Sequence, residues 1–171
     1  MKKWLIVGII VIITITLLGI SSYNELISKQ NNLETKLSQI DLELKNKSDT
    51  TNKLINNVKD TLKHEKDIIN DVIKTKEDLD NATITKKIKL NSKLTETINN
   101  LYVSIENYPS LKSDPNFIEL QNEITNIENN IAYLRSEYNK EAKEYNSSIK
   151  KIPSNFIAKI MNFKEANYFE N

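Results

Sequence analysis

The chain has 171 residues, enough for one domain of ordinary size, and its 24 Lys+Arg against 23 Asp+Glu leave a net charge of +1. Because nucleic-acid binders usually carry a clear basic excess, this balance predicts no nucleic-acid partner. The sequence has no cysteine, one histidine and two glycines, which excludes disulfide frameworks, thiolate or multi-histidine metal sites and glycine-rich phosphate loops. Type I′ hairpins would have to rely on Asn or Asp alone, so an all-β fold is not expected.

The N-terminal segment is long and apolar enough to cross a membrane. Residues 4–20 read WLIVGIIVIITITLLGI, and no charge occurs from Trp4 through Asn24. At a rise of about 1.5 Å per residue, ~20 uncharged residues cover the ~30 Å hydrocarbon core. The stretch exceeds the apolar region of a cleaved signal peptide, which is about 7–15 residues long. We therefore predict an uncleaved transmembrane helix within residues 1–21, with membrane lipid as its partner along residues 4–20.

The flanking charges predict the orientation of this span. Lys2 and Lys3 precede it, whereas the first charges after it, Glu25 and Lys29, cancel. The positive-inside rule then places the N-terminus in the cytoplasm and the rest of the chain on the outer side of the cell membrane.

Amphipathic helices are predicted for the rest of the chain, because apolar residues recur at spacings of three and four. Their long lengths and short connections predict an antiparallel up-and-down four-helix bundle over residues 22–152. The polar run NKSDTTNK between Leu44 and Leu54 indicates the first break, but the apolar stripe continues across it almost in register. An alternative is therefore one long helix with a polar layer at Ser48 and Thr51. The predicted helices span 22–46, 51–79, 84–107 and 115–151.

The other helix boundaries carry stronger signals. The run DNAT before Ile84 is a cluster of cap and turn residues. Asp114-Pro115 places a proline at a helix start, and Pro153 ends the last long helix.

A polar stripe follows the fourth predicted helix beside its apolar seam. It consists of Glu128, Arg135, Asn139 and Asn146, and Arg135 is the only arginine in the chain. An arginine offers a planar fork of donors that lysine lacks, so the stripe is either a contact for a ligand or partner, or an internal ion pair that fixes helix register. In the second interpretation the carboxylate comes from Glu128, Asp41 or Glu106.

Catalytic chemistry is not expected. His64 and Glu65 are the one pair suited to proton transfer, but sequence neighbours point to different faces of a helix, which favours an ordinary surface pair. The sequence has no Ser-His-Asp, HExxH or P-loop pattern. We predict no catalytic residue, no cofactor and no metal ion.

The segment 153–171 is predicted to be a short amphipathic tail against the membrane-proximal end of the bundle. Its apolar side is formed by Phe156, Ile157, Ile160 and Met161. The local excess of lysines over glutamates, from Lys150 to Lys164, suits anionic lipid. The alternative is that Phe156, Ile160 and Phe163 close the bottom of the helical core.

Short motifs run along the chain from Asn24-Glu25-Leu26 through Tyr138-Asn139 and Tyr145-Asn146 to Pro153 and Tyr168-Phe169. With these motifs, the sequence resembles the LemA family over nearly its whole length. Departures occur near the first break, where Asn46, Lys47 and Asn52 replace the usual arginine pair and proline, and at Leu37, which replaces a tryptophan. The resemblance implies a four-helix bundle on a single N-terminal span and no established enzymatic activity. It is carried by Asn24-Glu25-Leu26, Ser38-Gln39-Ile40-Asp41, Lys63-His64-Glu65, Glu106-Asn107-Tyr108-Pro109, Leu111-Lys112, Phe117, Leu120, Glu128-Asn129, Ile131-Ala132, Arg135, Tyr138-Asn139, Tyr145-Asn146, Pro153, Ile157-Ala158, Phe163 and Tyr168-Phe169.

These observations predict a non-enzymatic, membrane-anchored protein of a bacterial envelope. Its role would be that of a scaffold or adaptor for unidentified membrane or envelope proteins, and a homo-oligomer is also compatible with the helical faces. The alternative is a coiled-coil interaction module that faces the cytoplasm, which requires the opposite topology.

Overall fold

The computed structural model describes residues 2–169, and every regular element in that range is helical. The predicted all-α class is therefore confirmed for the described residues. Contacts divide the chain into two compact units, one combining Met1–Lys36 with Arg135–Asn171 and the other comprising Leu37–Leu134. The helices are α1 (Lys2–Val58), α2 (Lys66–Asp80), α3 (Ile84–Ile105), α4 (Pro109–Lys112), α5 (Pro115–Lys150) and α6 (Ser154–Ile160).

The first predicted break is wrong, because α1 runs through it without interruption. No glycine or proline lies between Ile20 and Val58 to end the helix. The polar residues at this point find partners within the helical structure instead of capping a terminus. Ser48 and Thr51 are buried, and the Thr51 hydroxyl donates to the Lys47 carbonyl at 2.7 Å. At this point the structure follows the alternative, a continuous helix with a polar layer at Ser48 and Thr51, but the helix ends at Val58 instead of continuing to residue 79.

The actual break lies at residues 59–65, inside the predicted helix 51–79. Leu62 is fully buried within this turn, so the turn residues contribute to the core as a helix would. Backbone hydrogen bonds from Leu62 to the Val58 carbonyl, and from Glu65 to the Leu62 carbonyl, hold the turn. The helix then restarts at Lys66.

The remaining boundaries agree with the sequence prediction. Residues 81–83 separate α2 from α3, and these two helices pack against each other. Asp114 caps α5, since its Oδ1 accepts a hydrogen bond from the Phe117 N–H at 3.0 Å. Pro115 is the first residue of that helix, where a missing N–H costs nothing.

The second unit is built around one apolar core. Four helices supply most of it, with Leu54 of α1, Val72 of α2, Leu101 of α3 and Phe117 of α5 all buried. The rings of Tyr102 and Phe117 meet edge to face at 5.8 Å.

The first unit combines the beginning of α1 with the end of α5, α6 and the extended residues 163–169. The start of α1 contains a segment long and apolar enough to span a membrane, and almost none of that segment is buried within the protein. From Ser22 onward, α1 contributes buried residues to this unit, among them Leu26. Lys29 and Lys36 of α1 form ion pairs with Glu144 and Glu137 of α5, at 3.6 and 3.7 Å.

Candidate functional site

The most unusual side chain in the second unit is Lys47, which is fully buried at 0% exposure. It lies on the inward face of α1, three residues after the buried Leu44. Its Nζ donates to Asn91 Oδ1 at 2.9 Å and to Thr95 Oγ1 at 2.6 Å, and lies 3.0 Å from Glu128 Oε1. All three donor positions of the ammonium group are thus satisfied, which is what a buried charge requires.

Thr95 extends this network, and the buried Tyr102 hydroxyl is influenced by the charge of Glu128. Thr95 Oγ1 accepts from Lys47 and lies 2.9 Å from Glu128 Oε1, so that the hydroxyl joins the two charged groups. The Tyr102 hydroxyl is buried without a hydrogen-bond partner among the described residues. Burial lowers the pKa of Lys47 from its ordinary value, against the attraction of Glu128. Burial, and then the charge of Glu128, raise the pKa of Tyr102.

An open groove of about 970 Å³ lies between α1 and α5 in the same unit. Thr50 donates to Glu123 Oε1 at 2.9 Å across it, and Lys53 lies 3.8 Å from the same carboxylate. Its walls are otherwise rich in amides: Asn46 comes from α1, and Asn122, Asn126 and Asn130 come from α5 at four-residue steps.

Asparagines further along α5 hold the extended tail in the first unit. Asn146 Nδ2 donates to the Ala166 carbonyl at 2.9 Å, while the Ala166 N–H donates to Asn146 Oδ1 at 2.8 Å. Asn139 forms the same reciprocal pair with Phe169, with both distances 2.8 Å. The Phe169 ring also lies 4.5 Å from that of Tyr138. Each amide therefore satisfies one backbone donor and one backbone acceptor.

The spacing of these contacts follows from helix and strand geometry. Seven helical residues rise about 10 Å, and three extended residues cover about 10 Å. The seven-residue spacing of Asn139 and Asn146 in α5 consequently matches the three-residue spacing of Phe169 and Ala166 in the tail. The tail runs antiparallel to α5.

A helix-ending motif directs the chain from α6 into this tail. Asn162 adopts a positive φ of 57°. The Phe163 N–H donates to the Ala158 carbonyl at 2.9 Å, and the Asn162 N–H to the Lys159 carbonyl at 3.4 Å. These are the two bonds of a Schellman motif, in which asparagine tolerates the left-handed position better than most residues. Phe163 then packs edge to face on Tyr23 of α1, with ring centroids 6.1 Å apart.

The amino-acid sequence that forms these helices and contacts can be compared with those of known protein families. The LemA family model matches residues 36–171. The chain belongs to the LemA family. The resemblance identified in the sequence is thereby confirmed.

Curated relatives of this LemA-family chain are named magnetosome proteins. MamQ 1 and MamQ 2 of Paramagnetospirillum magneticum are each 34% identical to it over 73 residues, 43% of the chain and 27% of the relative. MamQ of Magnetospirillum gryphiswaldense is 32% identical over 72 residues, 42% of the chain and 26% of the relative. The match thus spans about a quarter of each relative's length. Together with the apolar N-terminal helix, the family supports a membrane location.

The predicted polar stripe is divided between different environments. Glu128 pairs with Lys47, whereas Asn139 and Asn146 bind the tail. Arg135 is half-buried, and its Nε has no hydrogen-bond partner among the described residues.

The carboxylates predicted for Arg135 each pair with a lysine instead. Lys47 binds Glu128, Lys87 lies 2.8 Å from Asp41, and Lys112 pairs with Glu106.

The predicted helix-surface pair His64–Glu65 lies in the turn between α1 and α2 rather than on a helix. His64 is exposed, and Glu65 Oε1 accepts a hydrogen bond of 3.4 Å from the Tyr108 hydroxyl. The two neighbours therefore do not form one site.

Sequence reasoning missed the buried ammonium of Lys47 and its partners Asn91 and Thr95. A signal was present, because Lys47 continues the three- and four-residue spacing of Ile40 and Leu44 toward Thr51. Placing the break at residues 46–51 removed Lys47 from that stripe.

Proposed function

We propose that this LemA-family chain is a non-enzymatic, membrane-anchored adaptor that binds an extended segment of another membrane or envelope protein. One observation carries the proposal: the groove between α1 and α5 displays a regular row of exposed asparagine amides. The same kind of side chain, on the same helix, holds an extended backbone in the first unit.

The row has a spacing that suits an extended peptide. Asn122, Asn126 and Asn130 are four residues apart, a rise of about 6 Å per step. Two extended residues cover about 6.6 Å, so every second residue of a bound strand would meet one amide. Backbone pairing supplies affinity without demanding a particular side chain, as in other modes of strand recognition.

The anchor in this proposal is the apolar part of α1. Trp4 is 82% exposed, and the large apolar side chains that follow it, up to Ile20, are at least half exposed. In this range the Thr14 and Thr16 hydroxyls donate to carbonyls one turn earlier, at 2.9 Å, and so need no water. We propose a single membrane pass, with the N-terminus in the cytoplasm and the chain after the span on the outer side of the membrane.

Site-specific photo-cross-linking in cells tests the adaptor role. A cross-linker in place of Asn126 should form an adduct, and mass spectrometry should map it to a contiguous, non-helical segment of one membrane or envelope protein. Asn122→Leu with Asn130→Leu should reduce that adduct several-fold. Asn129→Leu is the matched control, because Asn129 is exposed on α5 but lies outside the groove lining. If the variant with Asn122→Leu and Asn130→Leu forms as much adduct as the Asn129→Leu control, the proposal is contradicted.

The absence of cysteine makes the topology directly measurable. Single cysteines at Lys3 and at the exposed Tyr133 can be treated with a membrane-impermeant maleimide on intact cells. The proposal expects labelling at position 133 and protection at position 3. The reverse pattern would establish the alternative, a cytoplasm-facing module.

A further inference from the structure

We propose that α6 lies in the surface of the membrane and binds anionic lipid through its exposed apolar and basic side chains. This inference rests on the membrane span proposed for α1. The structural feature behind it is an apolar face in the first unit that no described part of the protein covers.

The exposed face is centred on α6. Phe156 and Ile160 are one helical turn apart and are 59% and 77% exposed. Ile152 before the helix and Met161 after it are 77% and 52% exposed. The alternative, in which Phe156 and Ile160 close the bottom of a helical core, is wrong for both residues. Phe163, which packs on Tyr23, is the one member of that set that is partly buried.

The position of α6 along α1 indicates what covers this face. A Cβ at Gly19 would lie 3.5 Å from Ile157 Cδ1, so α6 touches α1 at that point. Gly19 is the penultimate residue of the apolar stretch that ends at Ile20. The exposed face of α6 therefore lies where the apolar stretch ends, at the level of the lipid headgroups. An amphipathic segment at this level buries apolar side chains in the acyl boundary.

The charges around α6 favour an anionic surface. Lys151, Lys159 and Lys164 are exposed beside the apolar residues. Lys150 is also exposed and pairs with Glu165 at 2.9 Å. Lysines at this depth extend their ammonium groups toward lipid phosphates while their stems cover apolar surface.

Spin labels in the full-length chain test the proposal, since single cysteines can be introduced without background. Labels at Phe156, Ile160, Ile12 and Tyr133 would be studied after reconstitution into vesicles that contain phosphatidylglycerol. We expect labels at 156 and 160 to collide several-fold more with lipid-soluble oxygen than with a water-soluble nickel complex. Tyr133, an exposed aromatic residue outside this face, should show the reverse preference. Circular dichroism checks that each labelled chain keeps its helices.

The label at Ile12 separates the two proposals. If Ile12 reports lipid while 156 and 160 report water, the α6 proposal is overturned and the span stands. If Ile12 reports water, the span fails and this inference fails with it. Replacing phosphatidylglycerol by phosphatidylcholine, or introducing Lys159→Gln with Lys164→Gln, should shift the labels at 156 and 160 toward water. Lipid contact that is indifferent to both changes would overturn the anionic part of the proposal.

Discussion

Replacing Lys47 by methionine tests whether the buried ion pair holds the second unit together. Methionine keeps the length of the side chain, so Lys47→Met removes the ammonium group without opening a large cavity. Asn91 Oδ1 and Glu128 Oε1 then lose the donor that lies 2.9 and 3.0 Å away. The wild-type chain and Lys53→Met provide the comparison, because Lys53 lies on the same helix but is exposed.

The size of the effect follows from the surroundings of each group that loses the ammonium donor. A buried acceptor without a donor costs about 1–3 kcal/mol. Breaking a buried pair costs roughly 3–5 kcal/mol when the remaining charge stays dry. The Glu128 side chain is 32% exposed, so water partly restores its solvation and the lower end of that range applies. We expect a loss of about 3 kcal/mol, which lowers the melting temperature by roughly 10 °C in a chain of this size.

Thermal unfolding of the full-length protein in detergent, followed by circular dichroism, measures this loss. Lys53→Met should cost under about 1 kcal/mol, because its partner Glu123 is 3.8 Å away and the two side chains are 63% and 43% exposed. Adding Glu128→Gln to Lys47→Met should recover part of the loss, since the unpaired charge is then gone. Equal melting temperatures for Lys47→Met and Lys53→Met would refute the reasoning.

The pH dependence of stability gives a second test of Lys47. Its pKa is lowered by burial, so between this lowered pKa and the ordinary value of 10.5 the unfolded chain binds more protons than the folded one. Stability contributed by this group therefore rises with pH through that window. The stability difference between the wild type and Lys47→Met should widen as pH rises toward 10.5. A difference that narrows with rising pH would contradict the direction of the pKa shift.

Three further outcomes follow from single contacts. Asn146→Ala removes both bonds to Ala166 and should speed hydrogen exchange of the Ala166 amide at least tenfold, whereas Asn130→Ala, in the groove, should leave it unchanged. Asp114→Ala should destabilise the chain by about 1 kcal/mol, read from the urea midpoint, because α5 loses its N-terminal cap. The raised pKa of Tyr102 makes the wild type lose stability as pH rises above 10.0; Tyr102→Phe should lose less, as alkaline unfolding curves would show.

Much of the helical layout was predictable because its signals are local. The polar cluster before Ile84 and the Asp114-Pro115 start of α5 act through neighbouring residues, and both boundaries agree with the structure. The break at 59–65 was not predictable from periodicity, because Leu62 stays in the core and keeps the apolar spacing between Val58 and Ile69. A turn whose apolar residue is buried in phase with the helices on either side leaves the pattern unchanged.

The polar contacts join residues that are far apart in the sequence, so they could be predicted only in part from local patterns. Lys47 is buried because Asn91 and Thr95 on α3 and Glu128 on α5 converge on it, a convergence that no local spacing encodes. The spacing within α1 indicates that Lys47 lies on the buried face, but it does not identify the partners of the ammonium group.

Asn139 and Asn146 show the opposite relation between pattern and contact. Their seven-residue spacing was visible in the sequence, but a heptad step is equally typical of helix packing. In the structure, the seven-residue step instead matches the length of three extended residues of the tail. The four-residue step from Asn122 to Asn130 fits an extended chain by the same geometry. A row of amides on one helix face therefore fits an extended chain when the rise between amides matches the length of a whole number of strand residues. Binding of an extended segment in the groove between α1 and α5 would test this rule.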